Sequence, residues 1–367
     1  MSTMKMTLWN ENYEDGYYHI GKDIQDHPDC WCYVVYSGRG PGKTYGALRY
    51  AAAHDLPIVY AKRTKRDVNF ICKAGEYGID RSPYAPINRD FGLNIEGKLI
   101  DDGIGMFGYF DKGQLIGDRP LAYVLSFNGV KDIKGFELSF CEWLVLDEFV
   151  PQLGEKVSRS EGEMLLSMYM TINRDRQARG REPLKLILFS NTDNISTSIT
   201  NELDIVDHMS EMEAAGITEL EIKSRGIFIH HLTPEEFPVL TKQQGGIFKG
   251  MAGTPWAEKN LGGYFASNDF SNVIPNLSIK KMTCYIRLKY KRKDIYIYRN
   301  PDSGLKYMTQ SKGKYTYFYD LEKENDQKLF WLEHGIDLRI DCIEGRMKFK
   351  KYSYYDLIIN YKKIYQL

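Results

Sequence analysis

The stretch SGRGPGKTYG, residues 37–46, resembles a phosphate-binding loop of the form G-x-x-x-x-G-K-[ST], with Ser37 where the first glycine usually stands. The apolar, β-branched and aromatic run Trp31–Tyr36 precedes it and predicts a buried strand. After the loop, apolar residues recur at helical spacing until the chain reaches Pro57. The order strand, loop, helix predicts a nucleotide site.

Such a loop binds phosphates because backbone N–H groups at a helix N-terminus point at them. We expect Lys43 to neutralise phosphate charge and the Thr44 hydroxyl to bind Mg²⁺. Three glycines remain in the loop and preserve most of its freedom. Ser37 would disturb the loop only if position 37 required a positive φ. The predicted nucleotide-binding residues of the loop are Ser37, Gly38, Arg39, Gly40, Pro41, Gly42, Lys43, Thr44 and Tyr45.

A second half of the site is predicted about a hundred residues later, in CEWLVLDEFVP (141–151). Trp143–Leu146 is continuously apolar, as a central parallel strand is, and it ends in Asp147 and Glu148. Acids at the carboxyl end of such a strand lie where open α/β sheets bind ligands. We therefore expect Asp147 to hold Mg²⁺ and Glu148 to polarise the attacking water.

A third strand is predicted at Leu184–Phe189, followed by Ser190 and Asn191. Asn191 is a candidate contact for the γ-phosphate or the attacking water, although such pairs also cap ordinary strands. Before it, Glu161–Ile172 has helical periodicity and runs into the arginine-rich NRDRQARGRE. An arginine here either complements the helix dipole or reaches the γ-phosphate of a neighbouring subunit.

Three further strands complete a predicted, mainly parallel sheet; they are Ile58–Ala61, Leu121–Phe127 and Ile227–His231. We expect an α/β ATPase domain at 1–232, a glycine-rich linker at 233–272 and a C-terminal domain at 273–367. In the C-terminal domain, period-two alternation predicts strands in CYIRLKY, DIYIYRN, LKYMTQ and KYTYFYD. Helices are expected at Gln327–His334 and Tyr352–Tyr365, which gives an α+β domain.

The net charge of zero conceals an uneven distribution. Residues 280–367 contain 20 Lys and Arg against 11 Asp and Glu, and 13 of the 27 tyrosines. Basic side chains interleaved with aromatics are typical of nucleic-acid binding, and also of a solvated face on a tyrosine-rich sheet. The candidate nucleic-acid contacts are Lys291, Arg292 and Lys293, at one predicted strand turn.

Several protein classes are excluded by composition. No apolar run approaches the length of a membrane span, and the N-terminus lacks the hydrophobic core of a signal peptide. We therefore expect a cytosolic protein without a membrane partner. The six cysteines lack paired C-x-x-C spacing, which predicts reduced thiols.

With these motifs in order, the chain resembles the encapsidation ATPases of small short-tailed phages, ring motors that drive genomic DNA into a preformed prohead. The resemblance covers most of the chain. It rests on five stretches, namely the loop with Arg39 at its third position, IVYAKR, LVLDEF, NRDR before LILFSN, and FKGMAGTPWAEKNLGGYFASND.

The resemblance implies an ATPase domain of the additional-strand, catalytic-glutamate class of P-loop NTPases, using ATP and Mg²⁺, joined to an RNase H-like C-terminal domain. It also implies a homo-oligomeric ring, expected to have five subunits, at the portal vertex of the prohead in the host cytoplasm. Its partners would be double-stranded DNA, the portal and, in some relatives, a packaging RNA. The arginine finger would be Arg174 or Arg176, with Arg174 favoured.

Larger terminases cut DNA with clustered acids that hold two metals. Here the first tail strand has no acid, and Asp294, Asp302 and Asp320 show no evident cluster, so we expect binding without cleavage. A terminase with a working nuclease and a non-hydrolysing nucleotide-gated scaffold are the alternatives; Glu148 argues against the scaffold. A helicase or AAA-type remodeller is disfavoured by the short chain and by the lack of a helical lid.

Overall fold

The computed structural model describes residues 16–73, 80–127, 136–151, 158–237 and 268–367, together with 250, 251, 253, 254, 257, 260, 263 and 265. Contacts divide the chain into two compact units. The first is Met1–Leu203 with Met212–Ser267, and the second is Asp204–Glu211 with Asn268–Leu367. Most of the stretch that the sequence predicts as a linker, up to Ser267, thus belongs to the first unit.

The first unit is built on a nine-stranded sheet with the order β10-β11-β1-β9-β8-β2-β7-β4-β3. Its strands, with the separate β5–β6 hairpin, are β1 (Cys32–Ser37), β2 (Ile58–Lys62), β3 (Glu96–Asp101), β4 (Ile104–Gly108), β5 (Phe110–Asp111), β6 (Gln114–Leu115), β7 (Ala122–Ser126), β8 (Trp143–Asp147), β9 (Lys185–Asn191), β10 (Glu219–Ile222) and β11 (Ile227–Leu232).

The central strands β11, β1, β9, β8, β2 and β7 are parallel, which confirms the predicted mainly parallel sheet. They are apolar and buried because helices cover both faces of such a sheet. The antiparallel strands β3, β4 and β10 lie towards its two edges and were not predicted. Residues of β3 are exposed or only half-buried, so the strand lacks an apolar signal.

Seven helices are described in Ile20–Ala215. They are α1 (Ile20–Asp26), α2 (Lys43–Ala53), α3 (Lys65–Ile71), α4 (Ala85–Phe91), α5 (Glu161–Asn173), α6 (Ser198–Glu202) and α7 (Val206–Ala215). The helix that follows β1 and its loop, α2, positions the site. None of the described helices of the chain has the length and hydropathy that a bilayer span requires. The six cysteines are buried free thiols.

The second unit has a five-stranded mixed sheet of order β15-β12-β13-β14-β16. The four predicted strands are present, whereas β16 and α9 were not predicted. The elements are β12 (Thr283–Tyr290), β13 (Lys293–Arg299), β14 (Lys306–Thr309), β15 (Tyr317–Asp320), α8 (Glu324–Phe330), α9 (Ile336–Ile343), β16 (Met347–Phe349), α10 (Tyr352–Ile359) and α11 (Tyr361–Tyr365).

Alternation along the hairpin strands builds the core of this unit. Ile286 and Leu288 of β12 and Ile295 and Ile297 of β13 are buried in one cluster with apolar side chains of the helices. A π-helical turn at Trp331–Gly335 joins α8 to α9, so the predicted helix Gln327–His334 continues further than its sequence pattern indicates.

Candidate nucleotide site

The loop between β1 and α2 retains its shape without the first glycine. Ser37 is the last residue of β1, where the backbone is extended and a side chain is tolerated. Positive φ values fall instead on Gly40 (105°) and Gly42 (83°), and Gly42 is the N-cap of α2. Because glycine adopts this conformation without steric cost, the loop needs those two glycines and not the one that Ser37 replaces.

Lys43 begins α2 and is only 8 % exposed. Its Nζ donates hydrogen bonds to Ser37 Oγ, to the Gly38 carbonyl (3.3 Å) and to Asn191 Oδ1 (3.4 Å). Burial lowers the pKa of Lys43 to about 8, although the Asp147 carboxylate acts in the opposite direction. A buried ammonium held mainly by neutral oxygens is stabilised when an anion such as a phosphate binds beside it.

Asp147 ends β8 and faces the first turn of α2. Its Oδ2 accepts hydrogen bonds from Thr44 Oγ1 (2.9 Å) and from the Tyr60 hydroxyl (3.1 Å), while Lys62 Nζ lies 3.9 Å away. A hydroxyl and a carboxylate oxygen side by side suit Mg²⁺, which takes few protein ligands and keeps several waters. Thr44 and Asp147 therefore fit the role of magnesium ligands.

Glu148 follows with an exposed side chain and φ of 60°, a left-handed conformation that is unusual for a residue other than glycine. Arg63, just after β2, donates from Nη2 to the Glu148 carbonyl (3.0 Å). It also forms a buried ion pair with Glu161 (2.8 Å), the first residue of α5. Backbone strain of this kind occurs where surrounding contacts hold a functional residue in place.

Arg63 was assigned no role from the sequence. The available signal was its position directly after a strand that pairs with the acidic strand β8. Its partner Glu161 comes from a helix about a hundred residues away, and only the folded chain brings the two together.

Lys43, Thr44, Asp147 and Glu148 line one cavity of about 380 Å³. Ser190 also anchors the acidic loop, since its Oγ accepts from the Val150 N–H (3.1 Å). Ser37 and Gly38 lie beside Lys43 but do not line the cavity. The lining residues are Arg39, Gly40, Pro41, Gly42, Lys43, Thr44, Tyr45, Asp147, Glu148, Ser190 and Asn191.

The two arginine-finger candidates differ in burial. Arg176 is fully buried; it donates to the Ser139 carbonyl (2.7 Å) and pairs with Glu142 (2.8 Å). This geometry assigns Arg176 a structural role, because a guanidinium held inside its own subunit does not extend to another. Arg174, the C-cap of α5, has a side chain that is 81 % exposed. Neither arginine lines this cavity.

No protein-family model and no curated protein matches this sequence. Among solved structures, the bacteriophage phi29 viral genome packaging motor assembly matches with a TM-score of 0.64 and 14 % identity, over 95 % of this chain and 99 % of that one. The phi28 gp11 DNA packaging motor matches with a TM-score of 0.55 and 13 % identity, over 96 % and 99 % of the two chains. The chain has the fold of viral genome-packaging motor proteins.

Within this packaging-motor fold, part of the stretch predicted as a linker contacts the loop between β1 and α2. The Arg39 N–H donates to the Asn260 carbonyl (2.8 Å). Gly263 has φ of 71°, and a Cβ added there would lie 2.4 Å from the backbone nitrogen of Gly38. Only glycine allows this approach, so the GG pair in this stretch was the signal that sequence reasoning did not use.

The three predicted nucleic-acid contacts of the second unit lie at a tight hairpin. Lys291 and Arg292 form the two-residue turn between β12 and β13, with φ of 48° and 59°. Turns with two consecutive positive φ values usually contain Asn and Gly. The backbone is therefore strained at Lys291 and Arg292. Lys293 pairs with Asp204 (2.9 Å), which neutralises one of the three predicted contacts.

Proposed function

We propose that this chain is the ATP-hydrolysing subunit of a viral DNA-packaging motor. The convergence of Lys43, Thr44, Asp147, Glu148 and Asn191 on one cavity carries the proposal. In the P-loop class with an additional strand, one strand separates the loop strand from the acidic strand. Here β9 lies between β1 and β8, and that order supports membership of this class.

Each residue then has a chemical role. The loop N–H groups and Lys43 bind the β- and γ-phosphates. Thr44 with Asp147 would hold Mg²⁺, which would neutralise developing charge. Glu148 orients and polarises the attacking water, with its backbone held by Arg63. Asn191 contacts the γ-phosphate from the end of β9.

Translocation requires more than one subunit. The solved structures that share this fold are packaging motors, and on that likeness we infer a ring, expected to have five subunits, on the portal of a prohead in the host cytoplasm. The exposure of Arg174 and its place outside the cavity of its own subunit support a role in completing the site of an adjacent subunit. Double-stranded DNA would be the substrate that is moved, and a packaging RNA is a further candidate partner.

The second unit is proposed to be an RNase H-like binding domain without nuclease activity, corresponding to the predicted domain 273–367. Asp294 accepts three hydrogen bonds from Arg287 (2.9, 3.0 and 3.1 Å), and Asp320 pairs with Lys289 (3.4 Å). Carboxylates held by guanidinium and ammonium groups are poorly placed to share two metal ions. The basic hairpin supports a role in contacting phosphates.

The decisive experiment measures ATP hydrolysis and protection of DNA from nuclease inside proheads supplied with the purified chain. Lys43→Ala and Glu148→Gln should each abolish both activities, and Glu148→Gln should still bind ATP because the phosphate and Mg²⁺ residues remain. Lys223→Ala, on the surface of the same unit, is the matched control. Hydrolysis without DNA protection would support an ATPase that is not a packaging motor. Turnover by Glu148→Gln above a tenth of wild type would exclude Glu148 as the base.

A further inference from the structure

A buried histidine surrounded by carboxylates lies at one edge of the first unit, outside the nucleotide cavity. His230 of β11 is 4 % exposed and stands directly opposite Glu219 of β10 in the antiparallel register. Asp23 reaches it from α1, and Glu236 reaches it from the turn after β11. Four separate elements thus meet at one imidazole ring.

The orientation of the ring is set by Asp23. His230 Nδ1 lies 2.9 Å from Asp23 Oδ2, and Tyr18 donates its hydroxyl hydrogen to the same oxygen (2.7 Å). An ionised carboxylate only accepts, so Nδ1 is the donor, and Nε2 carries the lone pair of the neutral ring. A carboxylate behind a histidine in this way is the arrangement that orients histidine ligands in metal sites.

Nε2 has no hydrogen-bond partner among the residues that the structure describes, although it is buried. The nearest carboxylate oxygens are Glu236 Oε1 at 3.5 Å and Glu219 Oε1 at 3.6 Å. These separations are long for hydrogen bonds. Two tetrahedral ligands that each lie 2.0–2.2 Å from one ion are about 3.3–3.6 Å apart, which is the spacing seen here.

We propose that His230, Glu219 and Glu236 bind a divalent transition-metal ion of the Zn²⁺ type. One imidazole and two carboxylates form a ligand set that suits such an ion. A ligand atom from each residue lies within 4.8 Å of the other two. Glu219 is 53 % exposed on its side chain, which gives the ion a path from solvent and leaves a position for water.

This ion would join β10, β11 and the turn after β11, and Asp23 and Tyr18 connect His230 to the phosphate loop. Tyr18, which holds Asp23, donates its backbone N–H to the Pro41 carbonyl (2.8 Å). Oε2 of Glu236 accepts from the Thr233 N–H (3.2 Å), so that side chain is already oriented with Oε1 towards His230. The expected role is structural, because none of the three ligands lines the nucleotide cavity.

The test uses the full-length chain, stripped with a chelator and free of nucleotide. Titration with Co²⁺, followed by its visible absorption, and competition for Zn²⁺ against a chromogenic chelator should both show one ion per chain. His230→Ala and Glu236→Gln should remove this binding, and Asp23→Asn should weaken it about 10- to 100-fold. Zn²⁺ should also raise the melting temperature of the wild type and not of Glu236→Gln.

Two control variants test whether the ion binds at these residues and not elsewhere on the protein. Glu221→Gln changes the same residue type two positions along β10, where Glu221 pairs with His27, and should bind like wild type. Asp147→Asn should also bind like wild type, because it alters only the nucleotide site. If His230→Ala fails to fold, Glu219→Gln, whose side chain is half exposed, replaces it.

Two results would overturn the proposal. One is wild-type protein that takes up no Co²⁺ or Zn²⁺ at one equivalent. The other is binding that the ligand variants leave unchanged, which would mean an adventitious ion only. The cluster would then be an ion-pair network around a protonated His230. Burial lowers the pKa of His230, but the Asp23 and Glu236 carboxylates outweigh it and raise that pKa to about 9.

Discussion

Asp147 of the first unit and two aspartates of the second unit have different partners. In the first unit, Asp147 accepts hydrogen bonds from two hydroxyl groups and faces a cavity that also contains Lys43. In the second unit, Asp294 and Asp320 are paired with Arg287 and Lys289. A charge held mainly by neutral groups beside a cavity can be satisfied by a ligand, whereas a closely paired charge stabilises its own fold. All three residues are aspartates, so the difference lies in their partners and not in the residue type.

The largest effect is expected for the exposed arginine of the first unit. Arg174→Ala should lower turnover at least about 10³-fold, since a finger contributes 10³–10⁵ in rate. Arg174→Ala subunits mixed with Glu148→Gln subunits should regain hydrolysis, because each supplies what its neighbour lacks. ATP turnover is measured across mixing ratios.

The matched control is Arg176→Ala, which should lose stability and give no such rescue. Absence of recovery at every ratio, with rings verified by light scattering, would contradict a role for Arg174 in trans and redirect attention to Arg39.

A buried ion pair beside Glu148 sharpens the comparison. Arg63→Ala should lower the free energy of unfolding by about 3–5 kcal/mol, because the buried Glu161 carboxylate loses its ion pair with the guanidinium. Turnover should fall as well, since the Glu148 backbone loses its support. Denaturant unfolding and ATP hydrolysis are the measurements.

Arg66→Ala, an exposed arginine three residues along, should have little effect on either. The double variant Arg63→Ala/Glu161→Ala should be more stable than the sum of the single effects predicts. Strict additivity would show that the pair is not coupled.

A smaller effect concerns pH. The pKa of Lys43 is lowered to about 8, and bound phosphates favour its charged form and raise that pKa again. Binding then takes up a proton above pH 8, so ATP affinity should fall about tenfold between pH 7 and pH 9. Isothermal titration of Glu148→Gln with ATP measures this without hydrolysis.

Lys43→Arg is the control, because arginine remains charged over this range and should give a flat profile. A flat profile in the Lys43 protein would mean that the buried ammonium stays protonated before the nucleotide binds.

The smallest effect is expected in the second unit, at the hairpin between β12 and β13. Lys291→Asn/Arg292→Gly should flatten the log-log salt dependence of DNA binding by roughly two units, at about 0.9 per phosphate contact. The same change should raise stability by about 1 kcal/mol by relieving the left-handed strain of the turn.

Lys293→Ala should change the slope less, because Asp204 already pairs with Lys293. Equal effects at all three positions would show that the Lys293 pair opens on binding, and no effect at any of them would exclude the hairpin as the DNA contact.

The sequence by itself determined the elements whose signals are local. The loop 37–46, the apolar strand before Asp147 and the alternating tail strands each follow from neighbouring residues, and the structure places them as strand, loop and helix. The acid pair at the end of β8 was predictable because the carboxyl ends of parallel strands lie at one edge of a sheet.

Only the tertiary structure decided which residues are neighbours across long separations. Arg63 meets Glu161, Gly263 approaches Gly38, and Glu236 turns towards His230. It also decided that Arg176 is buried while Arg174, two residues before it, is exposed. The physical reason is that burial and pairing depend on which surfaces the sheet and helices bring together, whereas local sequence specifies only the period and ends of each element.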